Sequence, residues 1–516
     1  MILPKRIKGL ALLLSGLLLI PFSALIGALF SPSSVIWRHV RDTLLPTYLS
    51  HTLAVLAISV LLATVIGGSL GIVFARRRFA YQKVWRIALI LPLAIPSYVY
   101  AMIYADLFSV TGFIGRTLWQ FDASVSLAWM NVPGVSVMFA LALYPYVFLI
   151  TESTVRQHGT HYETAASQLG ASTWRIFWTI TWPLILPGVI AGASLVAFEV
   201  LNDYGTVAYF NIPVFSFAIF DAWFRLGDLN TALRIGGYFI VFTFILSLVM
   251  DRLKKPKTGR IAKATMQKPA LKHPKMSFVS MGLLVLIALI VPLSQLVYYL
   301  SIAPLPARIG AAFIRTAWLS GLVVGIILGV SLLLMQPLRN QRIPLIRMAT
   351  LGYVIPGSII AVSLMALTAD MEAIGLSILN IATLRYSVII VIFAMVIRFL
   401  TLGMNALTSG YKKIGNRYSL ASQSLGQSWG KTLRKVDVPL LRGSLISAGL
   451  LIMIDLIKEL PLTLMLRPFG FETLSTLVYR SMQNEEIARA AGPALAMIGL
   501  STLAILYLMK ERSLDA

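Results

Sequence analysis

The chain has 516 residues, of which 58% are hydrophobic and only 12% charged, and its mean hydropathy is +0.82. Soluble domains carry about 25% charged residues, so a soluble globule is excluded and an integral membrane protein is expected. The absence of Cys removes disulfides, thiolate metal sites and iron–sulfur clusters. The five His are scattered and do not build an imidazole cage by spacing. The formal net charge of +24 is dispersed over many short loops, so no nucleic-acid partner is expected.

Twelve apolar stretches read as spanning helices in an all-α polytopic protein: about 10–30, 50–75, 87–110, 127–151, 184–208, 234–250, 276–299, 316–335, 346–368, 386–408, 440–463 and 491–509. The first follows Lys5, Arg6 and Lys8, as in a signal peptide, but its apolar run is longer than a typical h-region and reads as an uncleaved helix. Placing both termini in the cytoplasm puts most of the 44 Lys and Arg residues on that side. They include Arg76–Arg77–Arg78 and the clusters in 251–275 and 409–442, in accord with the positive-inside rule. Met and aromatic residues, Trp85 and Trp119 among them, read as lipid-facing or packing groups.

Residues 251–275 form a polar, basic, Pro-containing linker between a first repeat, 1–250, and a second, 276–516. At an offset of 256, Gly170 falls on Gly426, Ser172 on Ser428, Pro183 on Pro439, Glu199 on Asp455, Asp203 on Glu459 and Gly236 on Gly492. Pro96 pairs with Pro356 at 260, so short insertions separate the copies. Six crossings per half make the repeat parallel, with a pseudo-two-fold along the membrane normal and a pathway expected at the interface. Duplication leaves the function open, because secondary transporters share it.

The fourth cytoplasmic connection of each half carries the sharpest signal. Near 160–183 the chain reads Thr164-Ala165-Ala166, then Gly170, nine residues, and Ile180-Thr181-Trp182-Pro183. Near 416–439 it reads Leu420-Ala421-Ser422, then Gly426, nine residues, and Val436-Asp437-Val438-Pro439. Small residues ahead of a Gly end a short helix, and the Pro is read as opening the next span, where its missing N–H costs little. A helical hairpin then projects into the cytoplasm twice. Trp429-Gly430-Lys431-Thr432 contains a GKT, but Leu425 stands where a phosphate loop needs its first Gly. No nucleotide site or other cofactor is expected in the chain.

These loops resemble the EAA loop of ABC importer permeases, the element that docks on the ATP-hydrolysing subunit. The resemblance implies a type I importer permease fold, with coupling residues Thr164, Ala165, Ala166, Gly170, Pro183, Leu420, Ala421, Ser422, Gly426 and Pro439. The family's Glu falls on Thr164 and Leu420, the nearby acid Glu163 being displaced by one. Any ion pair made from that position is left open. The stretch from Lys458, KELPLTLMLRPFGFETLSTLVYR, is similar to the two-half permeases for ferric iron. That resemblance implies two ABC ATPase subunits, a periplasmic or lipid-anchored solute-binding protein and a place in the bacterial inner membrane. A thiamine or other small-solute importer, or an ion- or proton-coupled secondary transporter, is the alternative. On either importer reading the chain is a transport subunit and not an enzyme.

Charges inside a bilayer cost about 2.5–3.5 kcal/mol each on insertion scales, so Glu199, Asp203, Asp455, Lys458 and Glu459 are expected to face a cavity or one another. The i, i+4 spacing of Glu199/Asp203 and Asp455/Glu459 predicts one helix face for each pair, a candidate pathway or gate for a hard, oxygen-seeking cation. The alternative is structural pairing: Lys458 with Asp455 or Glu459, and Arg398 with another carboxylate. No tight metal site is expected, since a conduit must release its solute. The segments 467–472, 212–217, 221–228 and 484–486 are expected to face the delivery protein.

Overall fold

The computed structural model describes residues 4–120, 130–158, 161–254, 274–339, 343–349, 352–373 and 387–514. Most of the 251–275 linker and the side chain of Trp119 lie outside the described residues. Among the described residues the chain is helical and has no strand. Among the described residues ten helices are long and apolar enough to cross a membrane, and up to twelve if each of two bent pairs is one span. Each apolar stretch read from the sequence overlaps one of these helices or bent pairs.

Four spans, two in each copy, differ from expectation. The stretch 87–110 is not one rod: Gln82–Ile90 stops, Leu91–Ala94 forms a tight turn, and Ser97–Phe108 starts afresh. Its counterpart bends by 118° between Pro344–Val354 and Gly357–Glu372. Pro96 and Pro356 stand at these breaks, and Ile95 ahead of Pro96 is extended with ψ 118, as the steric demand of a following proline requires. The fifth span does not open at Pro183 either. Helix begins at Thr173 and runs to Asn202, and a π-helical turn, Phe177–Thr181, absorbs the proline's missing N–H. The second copy repeats this with a π-turn at Leu433–Asp437, followed by a 75° bend before Arg442–Lys458.

The chain forms two compact units, one of residues 1–40, 218–240 and 304–516, the other of 41–217 and 241–303. Each takes helices from both sides of the linker. In the second, Leu45–Arg76 runs along Val132–His158 and Trp182–Asn202. Gly67, Gly71 and Gly192 lie where a Cβ would overlap Val147 or Thr151, so the missing side chains set the approach. Lys275–Ile302 belongs to the same unit. Its Pro292 deprives the Ala288 carbonyl of a helical donor, and the Tyr100 hydroxyl donates to that oxygen at 2.5 Å while Tyr104 donates to Ile287. Tyr299 donates to Asp106. In the first unit Arg234 donates to the carbonyls of Ala28, at 2.9 Å, and Ser31, which ties the end of the first span to residues 218–240.

Candidate functional site

The two loops expected on the cytoplasmic side close with the same turn. His161–Gln168 ends in Gly170 at φ +82, with Gly170 N–H donating to Ser167 O at 3.0 Å and Ala171 N–H to Ala166 O at 3.0 Å. Arg417–Ser424 ends in Gly426 at φ +80, with bonds of 3.0 Å to Gln423 O and 3.2 Å from Gln427 to Ser422 O. This is the left-handed C-cap that pairs the orphan carbonyls at a helix end, and it explains why both positions hold Gly. A Cβ at either Gly would meet nothing, so conformation and not space demands the residue. Leu169 and Leu425, each just before its Gly, are 88% and 83% exposed. Thr164, Ala165, Ala166, Leu420, Ala421 and Ser422 lie on the two short helices, and Pro183 and Pro439 each stand two residues after a π-turn. The GKT residues form a single helical turn, with the Thr432 hydroxyl buried 3.0 Å from that of Ser422.

A polar clamp behind each loop was not assembled from the sequence. In the first copy Glu163 accepts from Arg76, the last residue of Leu45–Arg76, and from the Thr181 hydroxyl at 2.5 Å. The Arg76 guanidinium also lies 3.4 Å from that hydroxyl. In the second copy Asp437 accepts from Arg339 at 2.9 Å and from Ser419 at 2.5 Å, and Arg339 donates to Ser419 at 2.9 Å. Arg339 and Asp437 are each 3% exposed. The displaced Glu163 thus makes the ion pair that the motif's own position left open. The available signal was the repeat offset, which lays Glu163 on Ser419 and Thr181 on Asp437.

The intramembrane acids are arranged differently from expectation. Trp182–Asn202 ends before Asp203, which is extended at ψ 128, and Arg442–Lys458 ends before Glu459, at ψ 121. Each second acid thus ends its helix rather than lying within it, with Asp203 N–H still donating to Glu199 O at 3.0 Å. The reason is that each second acid caps the next short helix. Asp203 accepts from Thr206 N–H at 2.7 Å, and Glu459 from Leu462 at 3.1 Å and Thr463 at 3.2 Å. Glu459 also pairs with Arg398 at 2.7 Å, both buried, while Lys458 lies 3.7 Å from Asp455. Ser97 donates to Asp203. Glu199 and Asp203 belong to one compact unit, Asp455, Lys458 and Glu459 to the other. Among the described residues no three His, Asp or Glu gather closely enough to hold a metal ion.

On the segments read as facing the delivery protein, Phe469 projects fully beside Gly470 at φ +73. Glu472 is buried by Arg480 and by Arg467 at 3.6 Å. Asp228 caps Leu229–Leu253. Burial alone would raise its carboxyl, but hydrogen bonds from Thr231, Ser34 and Asn230 prevail and hold it below the ordinary 3.8.

An all-helical chain with ten to twelve candidate spans among its described residues and two matching helical hairpins suits a multi-pass transport component. Residues 67–256 match the family of binding-protein-dependent transport system inner membrane components. The sulfate transport system permease protein CysT of Escherichia coli is 30% identical over 197 residues, 37% of this chain and 69% of the relative. The Fe(3+)-transport system permease protein FbpB 2 of Haemophilus influenzae is 22% identical over 478 residues, 90% of this chain and 89% of the relative. The molybdenum transport system permease protein ModB of Mycobacterium bovis is 31% identical over 176 residues, 34% of this chain and 65% of the relative. The chain belongs to this family. It is a multi-pass permease component of an ABC importer from a bacterial inner-membrane system that works with an ATPase and a solute-binding protein.

Proposed function

We propose that the chain forms the membrane pathway for ferric iron, with both termini in the cytoplasm. A periplasmic or lipid-anchored protein delivers the ion. Two ATPase subunits dock on His161–Gln168 and Arg417–Ser424. The exposed Leu169 and Leu425, each held by a left-handed Gly, are the apolar knobs of that docking. Closure of the ATPases on these hairpins drives alternating access. The observation that carries the iron reading is coverage: the Fe(3+)-transport relative aligns with both halves, over 90% of the chain. A second reading, an oxyanion such as sulfate or molybdate, draws on the higher identities of 30% and 31%, over 37% and 34% of the chain.

The test is ATP-driven uptake into proteoliposomes holding the permease and its ATPase, with labelled ferric iron, sulfate and molybdate each presented on the binding protein encoded beside it. Accumulation of iron alone is expected. Accumulation of an oxyanion instead would replace the iron reading with the second. Uptake driven by an ion gradient without the ATPase would overturn the coupling role of the loops.

A further inference from the structure

We propose that the arginine–carboxylate–hydroxyl clamp behind each loop is the rod that transmits ATPase movement to the spanning helices, and that its carboxylate works from either of two crossing positions. The inference rests on the importer reading of the loops. Three separate segments meet in each clamp. The arginine ends the long helix, Leu45–Arg76, or caps its counterpart, Ile309–Leu338. One partner sits on the loop helix, and the other on the π-turn ahead of Pro183 or Pro439.

The two copies distribute the same groups in opposite ways. At the offset of 256 the loop helix contributes Glu163 in one copy and Ser419 in the other, and the π-turn contributes Thr181 and Asp437. The carboxylate has moved across the contact and a hydroxyl has moved back. Arg76 and Arg339 hold corresponding places, each at the C-terminal end of its long helix, and Thr52 and Thr316 earlier on the same two helices make the same bond. Each accepts a backbone N–H, from Phe215 at 3.1 Å and from Leu474 at 2.9 Å. A pair retained for packing alone would not need its charge conserved while the carrier changed. A charge-assisted bond from the arginine fixes the distance between loop and span in both arrangements. Glu163, Thr181, Ser419 and Asp437 are positioning residues. None has to touch solute or nucleotide.

The prediction is a transfer of the carboxylate. The chain has no Cys, so a single L169C carries a nitroxide without competing labels. In the full chain in nanodiscs, E163Q and E163S are expected to loosen the label at 169, and E163S/T181D, which copies the second arrangement into the first, to restore its wild-type spectrum. ATP-driven uptake of ferric iron, sulfate or molybdate, whichever the wild type carries, should fall roughly tenfold or more in E163S. It should return to within about twofold in E163S/T181D. The reverse transfer, S419E/D437T with L425C, tests the more buried copy and serves if E163S fails to accumulate. An immobile label in E163Q, or doubles as loose as E163S, overturns the clamp. A wild type that binds no ATPase overturns the importer reading instead, and leaves the spectra to decide the clamp alone.

Discussion

At the scale of single residues, matched positions of the two halves solve one problem with different atoms. Gly357 leaves room for a guanidinium: a Cβ there would lie 2.7 Å from Arg398 Nη1 and 3.2 Å from Glu459 Oε1. In the other copy Ser97 takes that position and gives its hydroxyl to Asp203, with no arginine required. Removing one member of a buried pair leaves an uncompensated charge, at a cost of about 3–5 kcal/mol, whereas an uncharged pair of similar shape is often tolerated. R398A should therefore lower the thermal midpoint of the purified protein clearly, and R398M/E459Q should recover most of the loss. Equal midpoints for wild type and R398A would show that the pair contributes nothing to the fold. The sequence made Arg398 a candidate partner of some intramembrane carboxylate, and it is one. It did not show that the helix stops at Glu459, whose carboxylate accepts from the first N–H groups of Pro461–Leu466, because capping is a decision of a few backbone angles that hydropathy does not register.

Elements meet through the same kind of exchange. Where Val132–His158 crosses Trp182–Asn202, Thr154 presses on Gly188. At the matching crossing of the other copy Gly410 lies under Ser444. The hydroxyl and the glycine have changed sides and the helices still approach closely. Spans were legible because twenty apolar residues suffice to announce a crossing. Their internal breaks were legible only in retrospect, because one proline, Pro96, stands where a helix ends and restarts, whereas Pro183 and Pro292 are accommodated by π-turns and neighbouring hydroxyls within continuing spans. The loop turns follow a simpler rule. With open space around Gly170, only the backbone penalises a side chain, by about 1–2 kcal/mol for an L-residue in the left-handed region. G170N should retain most uptake, G170A less, and G170V, whose branched Cβ suits φ +82 least, very little, while all three insert at wild-type levels. Comparable uptake in G170V and G170N would remove the turn from the coupling path.

For the whole molecule, the compact units and the sequence halves have different boundaries. Residues 241–303 belong with 41–217, and residues 1–40 and 218–240 with 304–516. The repeat was visible as residue offsets, but an offset records ancestry and not which helix packs on which. The packing depends on contacts such as Tyr100 with Ala288, 188 positions apart. Two chains made by a break between residues 254 and 274 should assemble when produced together. Either alone should be degraded, since each unit would lack helices. Accumulation of residues 1–254 by themselves, at the level of the intact protein, would contradict this.

The hydroxyls of Tyr100 and Tyr104 have a consequence for biosynthesis. A ribosome that has just delivered Leu253 to the membrane has finished neither unit, and both tyrosines still lack the carbonyls of Ile287 and Ala288. The early helices must wait in the lipid, half-assembled, until the seventh span arrives, so chaperoning during insertion is most needed at mid-translation rather than at its end.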